Sequence, residues 1–254
     1  MDDRPHLPRV VRIDPATNAI GRRIKVGQRP FGLAYGAKSL WVSDRNLNRL
    51  SRINPRTGRV QARIKIGFSS YGLAFGAGSV WTSSESDGTI RRINPKRNRV
   101  SAKIKAGSQP NGVVYAFGAI WVADLGGGSV LKIDVRRNKV VARYAVPQAD
   151  WITPSADALW VSGESNVIVE LDPATGAVLA QIPVGHNPLA SAWVRGELWV
   201  PNIDDGTISV TRSARAEPRS LRARHPPPRA APARRRGLRP ARRPSRSPSP
   251  RPSP

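Results

Sequence analysis

Three histidines, His6, His186 and His225, are the proton-transfer groups of this 254-residue chain that titrate near neutrality, and cysteine is absent. The lack of cysteine removes disulfides, thiolate nucleophiles and zinc–thiolate sites together. His186 alone falls in a patterned segment, Gly185-His186-Asn187-Pro188, and is the one candidate general base. A base needs an orienting partner, and spacing alone names none. The polar and aromatic residues that depart from their surroundings are Tyr71, Asn111, Asp150, Trp151 and Asn187. With His186 they form the candidate ligand-binding set, suited to a small molecule or peptide. No EF-hand, Walker, Rossmann or nucleophile-elbow spacing occurs, and no metal site is assigned.

What positions these residues is an internal repeat. Trp41, Trp81, Trp121, Trp160 and Trp199 stand 40, 40, 39 and 39 residues apart. A second register runs Ile13-Asp14-Pro15, Ile53-Asn54-Pro55, Ile93-Asn94-Pro95, Ile133-Asp134-Val135 and Leu171-Asp172-Pro173, and a third runs Gly27, Gly67, Gly107 and Gly185. Three registers in phase mark a repeat architecture. Within the first full unit, alternation places strands over Phe31–Tyr35, Ser39–Ser43, Arg49–Ile53 and Val60–Ile66. The turn between the third and fourth strands ends on Asn18, Gly58, Asn98, Asn138 or Gly176, residues that accept a left-handed backbone. Asp87-Gly88 and Asp205-Gly206 supply tight hairpins between the second and third strands.

Four antiparallel strands every ~40 residues predict an all-β chain, a β-propeller of four-stranded blades. Residues 28–185 supply four complete units, 9–27 a third and fourth strand, and 186–210 a first, second and third. Ring closure between the terminal strands gives five blades with one strand in excess. The alternative is a ring of six or seven blades cut at both ends. The periodic tryptophans are expected between blades. Ligands of such a ring meet the loops at one end of its channel. One set of loops carries Gln28, Arg29, Phe31, Tyr71, Gln109, Asn111, Asp150, Trp151, His186 and Asn187. The other carries Asp44, Glu85, Asp124, Glu164 and Asp204, of which Asp44 and Asp124, with Asn202, read better as turn caps. Structural positions recur in every blade, whereas functional ones need occur once, so Asp150, Trp151 and His186 are expected to converge at one rim.

The net charge of +25 is unevenly spread. Residues 211–254 hold 14 of the 42 basic residues and 11 of the 24 prolines, with no aromatic. That composition cannot offset the entropy of ordering, so the segment reads as a disordered tail. At Thr211-Arg212-Ser213 the repeat expects Leu-Asp-Pro, which a one-nucleotide shift restores in suitable codons, so the tail is expected to be out of frame. The domains are therefore an extension over 1–8, the propeller over 9–210 and the tail over 211–254. Edge-strand Lys and Arg account for most of the remaining charge, which disfavours nucleic acid as a partner; the competing reading is that the tail is a genuine Arg-rich arm that binds nucleic acid by neutralising phosphates. No apolar run reaches the ~18 residues of a membrane helix. The start of the chain carries no signal-peptide pattern, and localisation is left open. A monomer is expected.

The phrase from Pro30 to Asp44, followed by Leu50-Ser-Arg-Ile-Asn-Pro-Arg-Thr-Gly58, resembles YVTN-type and virginiamycin B lyase-like propeller repeats over residues 9–210. The resemblance implies the propeller fold and relatives that are often secreted or membrane-tethered. It also offers an activity as alternative to a non-catalytic scaffold for a small molecule, peptide or partner domain. That activity is metal-dependent C–O elimination opening a cyclic depsipeptide antibiotic, with magnesium held by acidic residues and histidine as base. The family uses more than one histidine, and only His186 lies in a matching loop. No cofactor is expected for the scaffold reading, and magnesium only for the lyase.

Overall fold

A computed structural model describes residues 8–67 and 70–213. The expectations on the extension before residue 8, His6, His225 and the tail from 214 onward lie outside the described residues. A short hairpin, β1 (Arg9–Ile13) and β2 (Ile20–Lys25), comes first. Four antiparallel four-stranded blades follow in chain order. They are β3 (Pro30–Gly36), β4 (Ser39–Asp44), β5 (Arg49–Ile53) and β6 (Val60–Lys65), then β7 (Ser70–Gly76), β8 (Ser79–Ser84), β9 (Thr89–Asn94) and β10 (Arg99–Lys105). The third holds β11 (Pro110–Ala116), β12 (Ala119–Asp124), β13 (Ser129–Asp134) and β14 (Lys139–Ala145), and the fourth β15 (Ala149–Pro154), β16 (Leu159–Gly163), β17 (Val167–Leu171) and β18 (Val178–Pro183). A three-stranded sheet of β19 (Ala192–Val194), β20 (Glu197–Asn202) and β21 (Thr207–Thr211) ends the series. Among the described residues the one helical element is a 3-10 turn at Glu85–Asp87, and no helix is long and apolar enough to cross a membrane.

The repeat registers have local causes. Asp14, Asn54, Asn94, Asp134 and Asp172 each accept, through Oδ1, backbone N–H bonds from the residues two and three further on, at 2.7–3.2 Å. The turns close on residues with φ of 49–76°, Asn18, Gly58, Asn98, Asn138 and Gly176. On β6 and β10 the charged side chains Arg63, Lys65, Lys103 and Lys105 face water and Ile64 and Ile104 face in, the alternation that keeps an outer edge from pairing.

Blades join through apolar clusters, each centred on one tryptophan. Trp41 packs with Leu50, Val80 and Ile93; Trp81 with Ile120, Leu131 and Ile133; Trp121 with Ile152, Leu159 and Leu171; Trp160 with Leu198 and Val200. The first three indole N–H groups donate to Gly36, Gly76 and Ala116 carbonyls at 2.9–3.0 Å. Over Trp41 and Trp81 lie the guanidiniums of Arg52 and Arg92, 5.2 and 5.0 Å from the ring centres. Each reaches the next blade's turn, at Pro95 O (2.7 Å) and Val135 O (2.8 Å).

The sheets at the two ends depart from expectation. Trp199 was expected to be buried like its four counterparts but is 43% exposed. Its sheet is the last among the described residues, and no further blade among them covers that face. The terminal strands do not share a blade: β1–β2 form their own sheet against the first blade, and β19–β21 pack on the fourth. β21 runs through Thr211, one residue past the expected boundary, and Arg212 and Ser213 bond to Glu197 and Glu170.

Candidate functional site

The innermost strand of each blade starts the same way. One residue bridges to the end of the second strand, giving Pro30↔Asp44, Ser70↔Ser84, Pro110↔Asp124, Ala149↔Gly163 and Pro188↔Asn202. The ladder then slips before pairing resumes in each of the four full blades. A bulge of this kind re-aims side chains, and bulges concentrate beside functional sites. The residue just after the bridge is Phe31, Tyr71, Asn111, Asp150 and Leu189 in turn, one per sheet. Their spacing, 40, 40, 39 and 39, equals that of the tryptophans.

The position after these is Gly32, Gly72 and Gly112 in the first three blades. A Cβ there would meet the next inner strand's backbone, 2.5 Å from Tyr71 O, 2.3 Å from Asn111 O and 2.8 Å from Asp150 O. Trp151 pairs with Ser162 where Gly32 stands opposite Ser43, so it fills the glycine position of the fourth blade. The next inner strand, β19, is short and begins only at Ala192, and Leu189 and Ala190 before it lie with Trp151.

Phe31, Tyr71, Asp150, Trp151, Leu189 and Ala190 together line a cavity of about 360 Å3. Phe31 and Tyr71 meet edge to face at 4.9 Å. The Arg45 guanidinium lies 3.8 Å from the Tyr71 ring centre and pairs with Glu85 at 3.3 Å, while Gln109 donates to the other Glu85 oxygen at 2.8 Å. Asn111 Nδ2 donates to Asp150 Oδ1 at 2.6 Å. Asn111 is 4% exposed, and its Oδ1 is buried with no hydrogen-bond partner among the described residues.

Burial raises the Asp150 carboxyl above its ordinary range; the Asn111 bond opposes this, and the charges of Glu164 and Glu85 add to the rise. The Tyr71 hydroxyl is also raised, by burial first and then by the Glu85 charge. The wall thus combines three aromatic rings, one half-buried carboxylate and aliphatic filler.

His186 and Asn187 lie elsewhere on the same loop side. The His186 backbone N–H donates to Asp205 Oδ2 at 2.6 Å and its ring Nδ1 lies 2.8 Å from Asp205 Oδ1, with two-thirds of the side chain in water (66%). The His186 N–H and ring bonds hold the Asp205 carboxyl below its ordinary range. Asn187 donates to Asp204 at 3.1 Å. Neither residue lines the cavity; Leu189 and Ala190, further along the same loop, do. The structure therefore brings Tyr71, Asp150 and Trp151 to one cavity and Asn111 onto Asp150, and pins His186 and Asn187 to their own hairpin. Sequence reasoning had no partner for His186 and used Asp205 only as a turn residue. Leu189 was also missed, although the 39-residue step from Asp150 identifies it.

Asp44 and Asp124 are turn pins. Asp44 accepts the N–H groups of Gln28, Asn46 and Leu47 at 2.6–3.1 Å, and Asp124 those of Ser108 and Gln109 at 2.9–3.0 Å. A larger hollow, about 490 Å3, lies between the β1–β2 hairpin and the first blade. Aliphatic residues dominate its wall, Arg12 and Arg56 are its charged groups, and no acceptor side chain joins them.

The arrangement defines the class as a β-propeller. Neither a family model nor a curated protein sequence matches the chain. Solved propeller structures do. A streptogramin B lyase structure matches with a TM-score of 0.69 and 16% identity, covering 82% of this chain and 76% of the other. Hydrazine synthase of Kuenenia stuttgartiensis matches at 0.63 and 13%, covering 72% and 66%. The computationally designed Ika8 protein matches at 0.66 and 14%, covering 81% and 65%. The chain spans about two thirds to three quarters of the length of these structures, and at such identities the likeness is one of fold.

Proposed function

We propose that this propeller is a non-catalytic scaffold that binds a small molecule in the cavity at its loop face. The observation that supports this reading is the rim itself. At one register position of the inner strands, Phe31, Tyr71, Asp150 and Leu189 face a common space while Asn111 backs Asp150, and the residues there are not repeated from blade to blade. A position that only solved a packing problem would recur, as the tryptophans and glycines do. The volume of about 360 Å3 falls in the range of small-ligand sites, which favours a small molecule over a peptide or partner domain. A ligand-observed NMR screen of a mixed fragment set tests it: the hits should bind the parent and be at least tenfold weaker on Trp151→Ala. Hits that bind the variant as well as the parent would move the site elsewhere.

A second reading has one observation in its favour. The His186–Asp205 pair has the geometry of an oriented base, and a structure titled as a streptogramin B lyase shares the fold. The magnesium such a reading implies is not matched by the donor set. Among the described residues no three His, Cys, Asp or Glu side chains converge as a metal ion requires, and Asp204 and Asp205 bond to Asn187 and His186. No step is derived through a metal. Incubation with a streptogramin B, with and without magnesium, should leave the antibiotic intact; turnover abolished by His186→Ala would replace the scaffold reading with this one.

A further inference from the structure

We infer that the rim cavity takes an organic cation, an alkyl- or quaternary-ammonium group, an inference that rests on the cavity being the ligand site. Its polar lining is acceptor in character. Asp150 contributes a carboxylate held in place from behind by Asn111. Phe31, Tyr71 and Trp151 contribute aromatic rings to the same wall, a residue type that attracts cations through its ring faces, and Tyr71 already holds the Arg45 guanidinium in this way. Glu85 and Glu164 stand near enough to act on Asp150 through their charge. The neighbouring positive group, Arg45, is already engaged by Glu85 and the Tyr71 ring.

The alternatives fit less well. An anion would meet the Asp150 carboxylate, with the charges of Glu85 and Glu164 close behind it. A neutral guest brings no counter-charge to a half-buried carboxylate that has the Asn111 bond for support, a costlier arrangement than a paired one in a low-dielectric site. An inorganic ion would find one carboxylate and otherwise aromatic and aliphatic surface, far short of the oxygen shell a hard cation needs. An ammonium carrying methyl or methylene groups matches both halves of the wall. The cavity is also an acidic spot on a strongly basic chain of net charge +25, so its character is local to the rim.

The test is calorimetric titration of the full chain with choline and with 3,3-dimethyl-1-butanol, its neutral counterpart of the same shape. The inference expects choline to bind at least tenfold more tightly. Asp150→Asn should erase that preference, and Trp151→Leu should weaken both. Should Asp150→Asn fail to fold, Glu164→Gln, a change on an exposed loop, must still narrow the preference by about twofold. Equal affinity for the two probes, both lost on Trp151→Leu, would overturn the cation inference and leave the cavity reading standing. A choline preference unchanged in Asp150→Asn or Glu164→Gln would also overturn it. No binding of either probe would overturn it too, and the fragment screen then decides the cavity reading separately.

Discussion

Replacing Gly72 by alanine tests the close approach of inner strands on which the rim depends. The added Cβ would lie 2.3 Å from Asn111 O and 2.8 Å from Val113 N. Both are backbone atoms, so neither can rotate away, and the second and third blades must part locally by about 1 Å to restore normal contact. Overpacking of this kind costs roughly 1–3 kcal/mol. For a domain of this size each kcal/mol is worth about 2–4 °C in Tm, so Gly72→Ala should melt about 2–12 °C below the parent by circular dichroism. Asn111 O also accepts the Ser83 hydroxyl at 2.7 Å, so the shift should reach Asp150 and weaken fragment binding as well. Gly78 is the control. It has φ +68° with nothing within 4 Å of its built Cβ, and asparagine tolerates that conformation, so Gly78→Asn should melt within about 2 °C of the parent. A Gly72→Ala protein as stable as the parent, or an equal loss in Gly78→Asn, would refute the reasoning.

Three further outcomes follow from the same structure. Trp121→Ala should cost about 5 kcal/mol and Trp199→Ala about half of that at ~25 cal/mol per Å2, because the latter is already 43% exposed; thermal unfolding of the two checks the ratio. Burial would raise the Asp87 carboxyl, but bonds from Thr89, Ser84 and Lys103 and the charge of Arg91 outweigh it and hold the group well below its ordinary value. A depressed pKa adds stability above the unfolded value of 3.8 that is lost as pH falls, so Asp87→Asn should lower Tm at pH 7 and the gap should shrink toward pH 2. Asp150 has the opposite sign: its raised pKa costs stability once pH exceeds the folded value. Asp150→Asn should therefore raise Tm at pH 7, with the gain shrinking as pH falls through the raised folded value and absent below the unfolded value of 3.8; a lower Tm across the range would contradict the assignment.

The strands, turns and inter-blade contacts were legible because each is a local solution repeated. Asn or Gly at the left-handed turn position and Asp or Asn at its start are demanded by backbone geometry five times over. The rim was partly legible on the same logic: Asp150 and Trp151 depart from the pattern and meet in one cavity with Tyr71. His186 departs from it too, yet its neighbourhood depends on Asp205 across a hairpin, a contact that periodicity does not carry. The exposure of Trp199 was hidden for a related reason. A repeat describes what each unit offers its neighbour, and burial depends on whether the neighbour is there.

The most direct test of the account is the crystal structure of the full chain with the strongest hit from the fragment screen. The account predicts density for the ligand against Phe31, Tyr71, Asp150 and Trp151, with Asn111 still bonded to Asp150. Density at the His186–Asp205 hairpin, or against the turns at Pro55 and Pro95, would contradict it.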